Sequence, residues 1–468
     1  MKKFIIAMIA LLASITAATP LYIGVQAKKR FSLAHEYLQQ ELLYPQLSVA
    51  AGDYHQGWLK SETSTVFTIT PDKKDAIPLV FRMVHHISTI PAFGSGSIMS
   101  VDSQLVLPAE LKKKLEPYFH GKPLLSSHTL VKFDGSETST ISSPSYSGPL
   151  QDDESARLEW QGLHGTTTSD ANFSNVSVTL DIPGFSIEKP DTAVQFGKLH
   201  YSSQRHRGSH DLWFGHDDAT LENLQFNAMS TRRGPANLQM AGLAMTSMQN
   251  ENGPLVNLHG RLTFDSANLN GLTLHNAVYD IAYNNLDAAS LSRLSTVIKQ
   301  AMRQHPDDPR QIVASMKPLF QALLSKKPEL ALSEFRVETP LGKVSARLNV
   351  ALTAPLTDEI MQEPRGLLDI MNVDLTASVP KPMIIGLIGS SANNSVRLAA
   401  QRQKEKISEE ELIRKVNTLT QQQIQELLNQ KLMVDNGDNF DTVVHYVPPQ
   451  LLINGQDASP MLNGLKQK

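Results

Sequence analysis

The residue types best suited to chemistry gather between His206 and Asp218. His206, His210 and His216 stand there with Asp211, Asp217 and Asp218, and imidazole with carboxylate is a ligand set that zinc or another divalent cation accepts. Arg205 and Arg207 share the stretch and raise its positive potential, which opposes a cation. Gly208-Ser209 reads as a turn. A polar surface turn is the expectation. Ser209-His210-Asp211 sets the residue types of a hydrolase triad side by side, but consecutive side chains do not converge as that chemistry requires. His85-His86 closes an apolar run. Neighbours in a strand point to opposite faces, so the pair cannot share one ion, and no nucleophile stands with it. Gly94-Ser95-Gly96 and Gly386-Leu387-Ile388-Gly389-Ser390-Ser391 lack the lysine and the spacing of a phosphate cradle. Neither a Gly-x-Ser-x-Gly elbow nor a His-Glu-x-x-His helix occurs. No catalytic, cofactor-binding or metal-ligating residue is assigned, no cofactor is expected, and the chain reads as a non-enzyme.

The bulk properties narrow the classes further. With 468 residues, 41% hydrophobic and 19% charged, the chain can bury a large core. A net charge of -3 announces no basic surface for phosphate contacts, so no nucleic-acid partner is expected. The absence of cysteine removes disulfides, thiolate metal sites and thiol catalysis.

The positioning elements are mostly strands. Period-two alternation marks Leu79–His86, Leu130–Phe133, Leu158–Trp160, Val176–Ile182, Val194–Phe196, Leu221–Phe226, Arg261–Phe264 and Ala277–Tyr283. It returns at Phe335–Val337, Val344–Val350 and Val443–Val447. Phe196–Ser203 is echoed faintly by Met240–Ser247, each with a glycine. Helical spacing over 287–303 aligns Leu291, Leu294, Val297, Ile298 and Met302. A second stripe runs from Ile312 to Leu324 with a kink expected at Pro318. Ser408-Glu409-Glu410-Glu411 is a capping box opening a third helix, through Leu428. The expected fold class is α+β: a large, mostly antiparallel β-sheet meander with two helical insertions, after one N-terminal transmembrane helix.

That first helix follows from Phe4 to Val25, which is apolar apart from small or weakly polar residues. Its 22 residues cover roughly 33 Å at helical rise, against a bilayer core of about 30 Å. Val25-Gln26-Ala27 also suits signal cleavage, but the run is long for that. A helix over 28–48 follows, with Leu33, Tyr37, Leu38 and Leu42 on one face and Pro45 at its end. The expected organisation is 1–27 as anchor or signal segment, 28–285 as a β-rich region and 286–468 as an α+β region continuing the sheet. The expected place is a Gram-negative inner membrane, single-pass, with the body in the periplasm. The expected partners are that membrane and either another envelope protein, a second copy of the chain, or a lipid.

Several segments together resemble the YdgA-like family of bacterial envelope proteins. Tyr54-His55-Gln56-Gly57-Trp58-Leu59-Lys60-Ser61 is similar to that family's early pattern of Tyr, two residues, Gly, three residues, Ser. Val84-His85-His86 follows, where family members have a His-Gly-Pro turn and this chain has Ile87-Ser88. The insertion before Phe335, the strand ending at Val350 and Leu451-Leu452-Ile453-Asn454-Gly455-Gln456 match in order. The resemblance implies an inner-membrane-anchored periplasmic protein and supplies no catalytic residues. Physically, Gly57 before Trp58 suits a bend that seats the indole on the sheet, and Asn454-Gly455 suits a hairpin turn. The leading expectation is a periplasmic binding or scaffolding module. Its rival is a lipid-binding or lipid-transfer protein whose sheet offers an apolar groove, and a solvent-reachable groove against a filled core separates the two.

Overall fold

A computed structural model describes residues 20–36, 38–39, 46–70, 78–91, 94, 96–150, 153–230, 234–304, 316, 319–357, 359–360, 366–403 and 407–466. The chain divides into two compact units, Met1–Ala236 with Ser295–Met316 and Asn237–Leu294 with Lys317–Lys468. Among the described residues every strand pairing is antiparallel, as the expected meander requires.

The first unit holds β1 (Leu47–Ala51), β2 (His55–Gln56), β3 (Lys60–Ile69), β4 (Leu79–Ser88), β5 (Ser97–Val106), β6 (Ser126–Lys132) and β7 (Glu137–Ser143). It continues with β8 (Tyr146–Leu150), β9 (Asp153–Trp160), β10 (Leu163–Ser169), β11 (Asn175–Ile182), β12 (Phe185–Lys189), β13 (Thr192–Phe196), β14 (Leu199–Arg207) and β15 (Trp213–Ser230). β1 and β2 share one edge of β3, and β3 to β7 then pair in order. From β7 on, long strands are each broken at one level, at Pro144-Ser145, Gln161-Gly162, Pro183-Gly184 and Gly197-Lys198. The ladder runs β7-β10-β11-β14-β15 on one side of the breaks and β8-β9-β12-β13-β15 on the other. Proline has no N–H for a ladder and glycine permits the bend, so these residues set the line of breaks.

The helix over residues 20–36 lies on this sheet. Its buried stripe is Ile23, Ala27, Phe31 and His35, spaced by four, and the first three pack with Ile87, Met99, Val101 and Val131. Arg30 pins the helix from the side: its guanidinium donates to the Gly135 carbonyl at 2.6 Å and meets Glu137 at 3.0 Å. Tyr54 adds a hydrogen bond to the Gly24 carbonyl at 2.8 Å. Two expectations change here. Residues 20–25 of the expected spanning run belong to a helix seated on a sheet, while 1–19 fall outside the described residues. Among the described residues no helix is long and apolar enough to cross a membrane. The stripe expected on Leu33 and Leu38 is exposed, and Tyr37, Leu42 and Pro45 are outside the described residues.

The second unit holds β16 (Gly234–Asn252), β17 (Leu255–Leu269), β18 (Leu272–Asp287), β19 (Glu329–Thr339), β20 (Gly342–Leu352), β21 (Met371–Pro380), β22 (Val434–Asn436), β23 (Asn439–Val447), β24 (Gln450–Ile453) and β25 (Gln456–Asp457). The order across it is β16-β17-β18-β19-β20-β21-β23, with β22 and β24 on the outer edge of β23. Asn454 and Gly455 both take positive φ, 50° and 77°, in the tight turn from β24 to β25.

Helices enter after β18 and between β21 and β22, as expected, and a short one, Gly366–Asp369, also stands between β20 and β21. Ala288–Gln304 follows β18; Ile312, Val313 and Pro318 lie outside the described residues. Between β21 and β22, helices Lys381–Gln403 and Glu409–Asn429 pack as a hairpin. Ser408 caps the second, its hydroxyl accepting from Glu411 N at 3.3 Å. The first contains Gly386–Ser391, whose glycines suggest a loop in the sequence and which is helical instead. A further helix, Ala109–Phe119, stands between β5 and β6. The Gly57 expectation is half met. A Cβ there would stand 2.3 Å from the Lys60 carbonyl, so the bend needs glycine, yet Trp58 is 56% exposed and is not seated on the sheet.

Candidate functional site

The cluster between His206 and Asp218 does not assemble. Asp217 is buried, where Arg205 Nε donates to it at 2.9 Å, the Ser203 hydroxyl at 2.7 Å and the Tyr201 hydroxyl at 3.2 Å. Asp218, the next residue in β15, faces the other way. Asp211 pairs with Arg207 at 3.3 Å, and the His206 ring lies 6.0 Å from that of Phe214. Among the described residues no group of three His, Asp or Glu is arranged to hold a metal ion. Asp217 is structural: Asp217→Ala leaves Arg205 and two hydroxyls without their acceptor and is expected to cost about 2 kcal/mol. A shift of the urea midpoint followed by tryptophan fluorescence checks it, since Trp58, Trp160 and Trp213 all belong to the first unit.

His85 and His86 face opposite sides of β4, as strand geometry requires. His85 Nε2 is 2.8 Å from the Thr65 hydroxyl and Nδ1 is 2.7 Å from the Ser103 hydroxyl. Thr65 in turn meets His35 Nε2 at 3.0 Å, and His35 Nδ1 is 2.6 Å from the Phe31 carbonyl. One assignment of protons satisfies every member: His35 donates from Nδ1 and accepts Thr65 at Nε2, while His85 donates from Nε2 and accepts Ser103 at Nδ1. Both rings are neutral in it. Burial pulls the His85 pKa down to about 4, with His35 and His86 nearby adding to the effect.

The larger feature is in the second unit. Its register places three apolar rows across the sheet. One runs Leu258, Tyr283, Leu330, Val350, Val373, Tyr446. The next runs Ile281, Leu332, Leu348, Leu375, Val444, and the third runs Met245, Leu262, Tyr279, Phe335, Ala346, Ala377. Directly opposed residues of antiparallel neighbours share a face, so the rows form one apolar surface. The intervening positions are polar: Arg261 bonds Asp280 at 2.7 Å and Glu334 at 3.5 Å, and Asp374 bonds His445. Burial raises the Asp280 pKa, and hydrogen bonds from His259 and Arg261 more than reverse this, holding the carboxyl below its ordinary range.

An apolar sheet face ordinarily packs on a second layer. Here, of the three rows, only Tyr446 is buried. Leu262, Tyr279 and Tyr283 are 38%, 41% and 42% exposed. From β16 to β23 the surface crosses six strand spacings, about 29 Å at about 4.8 Å each. Patches of this extent on a soluble body mark interaction surfaces. The first unit repeats the theme beyond its line of breaks, where Tyr146, Trp160, Phe185, Phe196 and Leu224 stand in one row. The rings of Phe185 and Phe196 stack at 5.2 Å. A Cβ on Gly197 would meet the Asn223 side chain at 2.6 Å, and one on Gly242 the Asp265 carboxylate at 2.1 Å.

A model for a family described as a bacterial protein of unknown function (DUF945) matches residues 1–461. No curated protein and no solved structure matches the chain.

Proposed function

The chain belongs to the bacterial family DUF945, and we propose that it is a non-enzymatic envelope module that holds a long acyl chain against the open apolar face of its second unit. The observation carrying this reading is that the rows through Leu258, Ile281 and Leu262 stay within reach of solvent across seven strands. A filled core would have favoured scaffolding alone; an open face about 29 Å across favours a lipid, since a bilayer core of roughly 30 Å is shared by two leaflets and one acyl chain needs about half of it. Burial of such a chain releases about 25 cal/mol per Å² of apolar surface on each side of the contact.

The location is part of the same proposal. On this reading the apolar sequence from Phe4 to Thr19, ahead of the helix seated on the sheet, anchors the chain in the inner membrane, and the sheet stands in the periplasm. Kinship with the YdgA-like proteins, resting on the Tyr54–Ser61 and Leu451–Gln456 motifs, fits that placement. Purification from membranes in mild detergent, followed by mass spectrometry of the retained species, tests it. Stoichiometric phospholipid or fatty acid is the expected result. A lipid-free chain carrying only itself or another envelope protein would overturn the acyl reading.

A further inference from the structure

The polar face of the second unit carries an arrangement of its own. β19, β20 and β21 bring Arg336, Ser345 and Ser378 into one cross-strand row, and Arg347 stands opposite Thr376 in the next. Opposed residues of antiparallel neighbours hold their Cβ atoms about 5 Å apart on one face. Lys343 and Arg347 lie two positions to either side of Ser345, and residues two apart on a strand share a face. Each stands about 7 Å from Ser345 along the strand, at about 3.3 Å per residue. Ser345 thus has one cation across from it and one on each side along its own strand. These residues line a single pocket of about 350 Å³, with Glu334 and Asp441 also at its wall.

The two acids are already engaged. Glu334 sits between Arg336 at 3.2 Å and Arg261 at 3.5 Å. Asp441 accepts from the Ser378 hydroxyl and from the Asn436 amide, each at 2.5 Å. Glu338, opposite Lys343, accepts from Asn276 at 2.9 Å and does not line the pocket. Lys343 and Arg347 are exposed, and among the described residues neither side chain has an ion pair or a hydrogen bond. The hydroxyls of Ser345 and Thr376 are likewise without a partner there. Three cations against two acids leave the lining one positive charge in excess, and the two cations with no acid of their own flank the free hydroxyl of Ser345.

We infer that this pocket binds one phosphate group. Arg347 and Lys343 close on it from two sides, Arg336 adds charge from the neighbouring strand, and Ser345 and Thr376 donate from below. Guanidinium and ammonium donors make their strongest hydrogen bonds to such an oxyanion, and a guanidinium can hold two of its oxygens at once. Donors arriving from several directions suit a tetrahedral ion better than a flat carboxylate. Phe335, Ala346 and Ala377, the residues between these, belong to the third apolar row on the other face, so the site does not depend on the acyl-binding reading.

Calorimetry of the full chain in mild detergent at pH 7 tests this, with inorganic phosphate as one probe and glycerophosphoglycerol, an acyl-free phospholipid headgroup, as the other. One phosphate per chain is expected. Tighter uptake of inorganic phosphate assigns the pocket to a free phosphate or a monoester, and tighter uptake of the diester assigns it to a lipid headgroup. Lys343→Ala and Arg347→Ala each weaken binding about tenfold, the loss of one charge-assisted hydrogen bond. Glu334→Gln tightens it by removing a negative charge from the wall. Ser345→Asp abolishes it, because a carboxylate then stands among the three cations. Arg397→Ala, on the helix Lys381–Gln403, leaves it unchanged. Lys343 and Arg347 are exposed, so circular dichroism should show the fold kept. Absence of saturable uptake of either probe by the unaltered chain would overturn the proposal. So would uptake that survives the Lys343→Ala/Arg347→Ala double substitution.

Discussion

Leu262→Asp is expected to weaken binding of a long-chain acyl probe by about 30-fold or more, which is about 2 kcal/mol, with little change in thermal stability. Leu262 stands in the middle of the third apolar row, between Met245 and Tyr279. At 38% exposure its side chain contributes little to a core, so its loss costs the folded state little. A carboxylate there would have to be stripped of water wherever an acyl chain lies across it. Thr263→Asp, one residue along, adds the same charge on the opposite face, where Arg261 and Asp280 already interact; binding should be unchanged. Probe titration of the two variants side by side separates a charge in the ligand's path from a charge on the protein at large.

The second large effect concerns the helix over 20–36. Thr65→Val removes the hydroxyl that joins His35 to His85 and leaves two buried ring nitrogens without a partner, at about 1–3 kcal/mol each. Stability of the first unit should fall by about 2–5 kcal/mol. The same network makes the unaltered protein acid-sensitive. Because the folded His85 pKa is lowered to about 4, the unfolded chain takes up the proton first as pH falls. Stability from this group is therefore complete above its ordinary value of 6.5 and is lost down to about pH 4. The loss is about 3 kcal/mol at about 1.4 kcal/mol per pH unit. Urea melts followed by tryptophan fluorescence at pH 7, 5.5 and 4 read it directly, and His85→Gln should flatten the dependence. A stability that does not change between pH 7 and 4 would contradict the proton assignment of the network.

Much of the sheet was legible in the sequence because alternation is a local property. Val176–Ile182 and Val344–Val350 announce strands without reference to any partner, and both are strands. The surface they build was not legible, since a row such as Leu258-Tyr283-Leu330-Val350-Val373-Tyr446 depends on five successive registers, one of them between residues 73 positions apart, from 373 to 446. Local pattern also misled. Leu33 and Leu38 look like a buried stripe, but the helix buries Ile23, Ala27, Phe31 and His35, a set with a small and a polar member. Gly386 and Gly389 read as a loop, yet they lie in the helix Lys381–Gln403. A Cβ on Gly389 would stand 3.6 Å from the Thr420 hydroxyl, an ordinary contact, so this position faces the paired helix without requiring glycine. The spacing that brings His206, His210 and His216 close in sequence puts them on a turn and two strands without convergence.

The acyl-binding claim is tested most directly by photo-crosslinking the purified chain with a fatty acid bearing a diazirine along its tail, followed by peptide mapping. The account predicts adducts on Leu262, Tyr279, Tyr283 and Phe335, suppressed by unlabelled fatty acid and absent from Arg261, Asp280 and Glu334 on the opposite face. Adducts spread equally over both faces, or none that unlabelled fatty acid displaces, would contradict it.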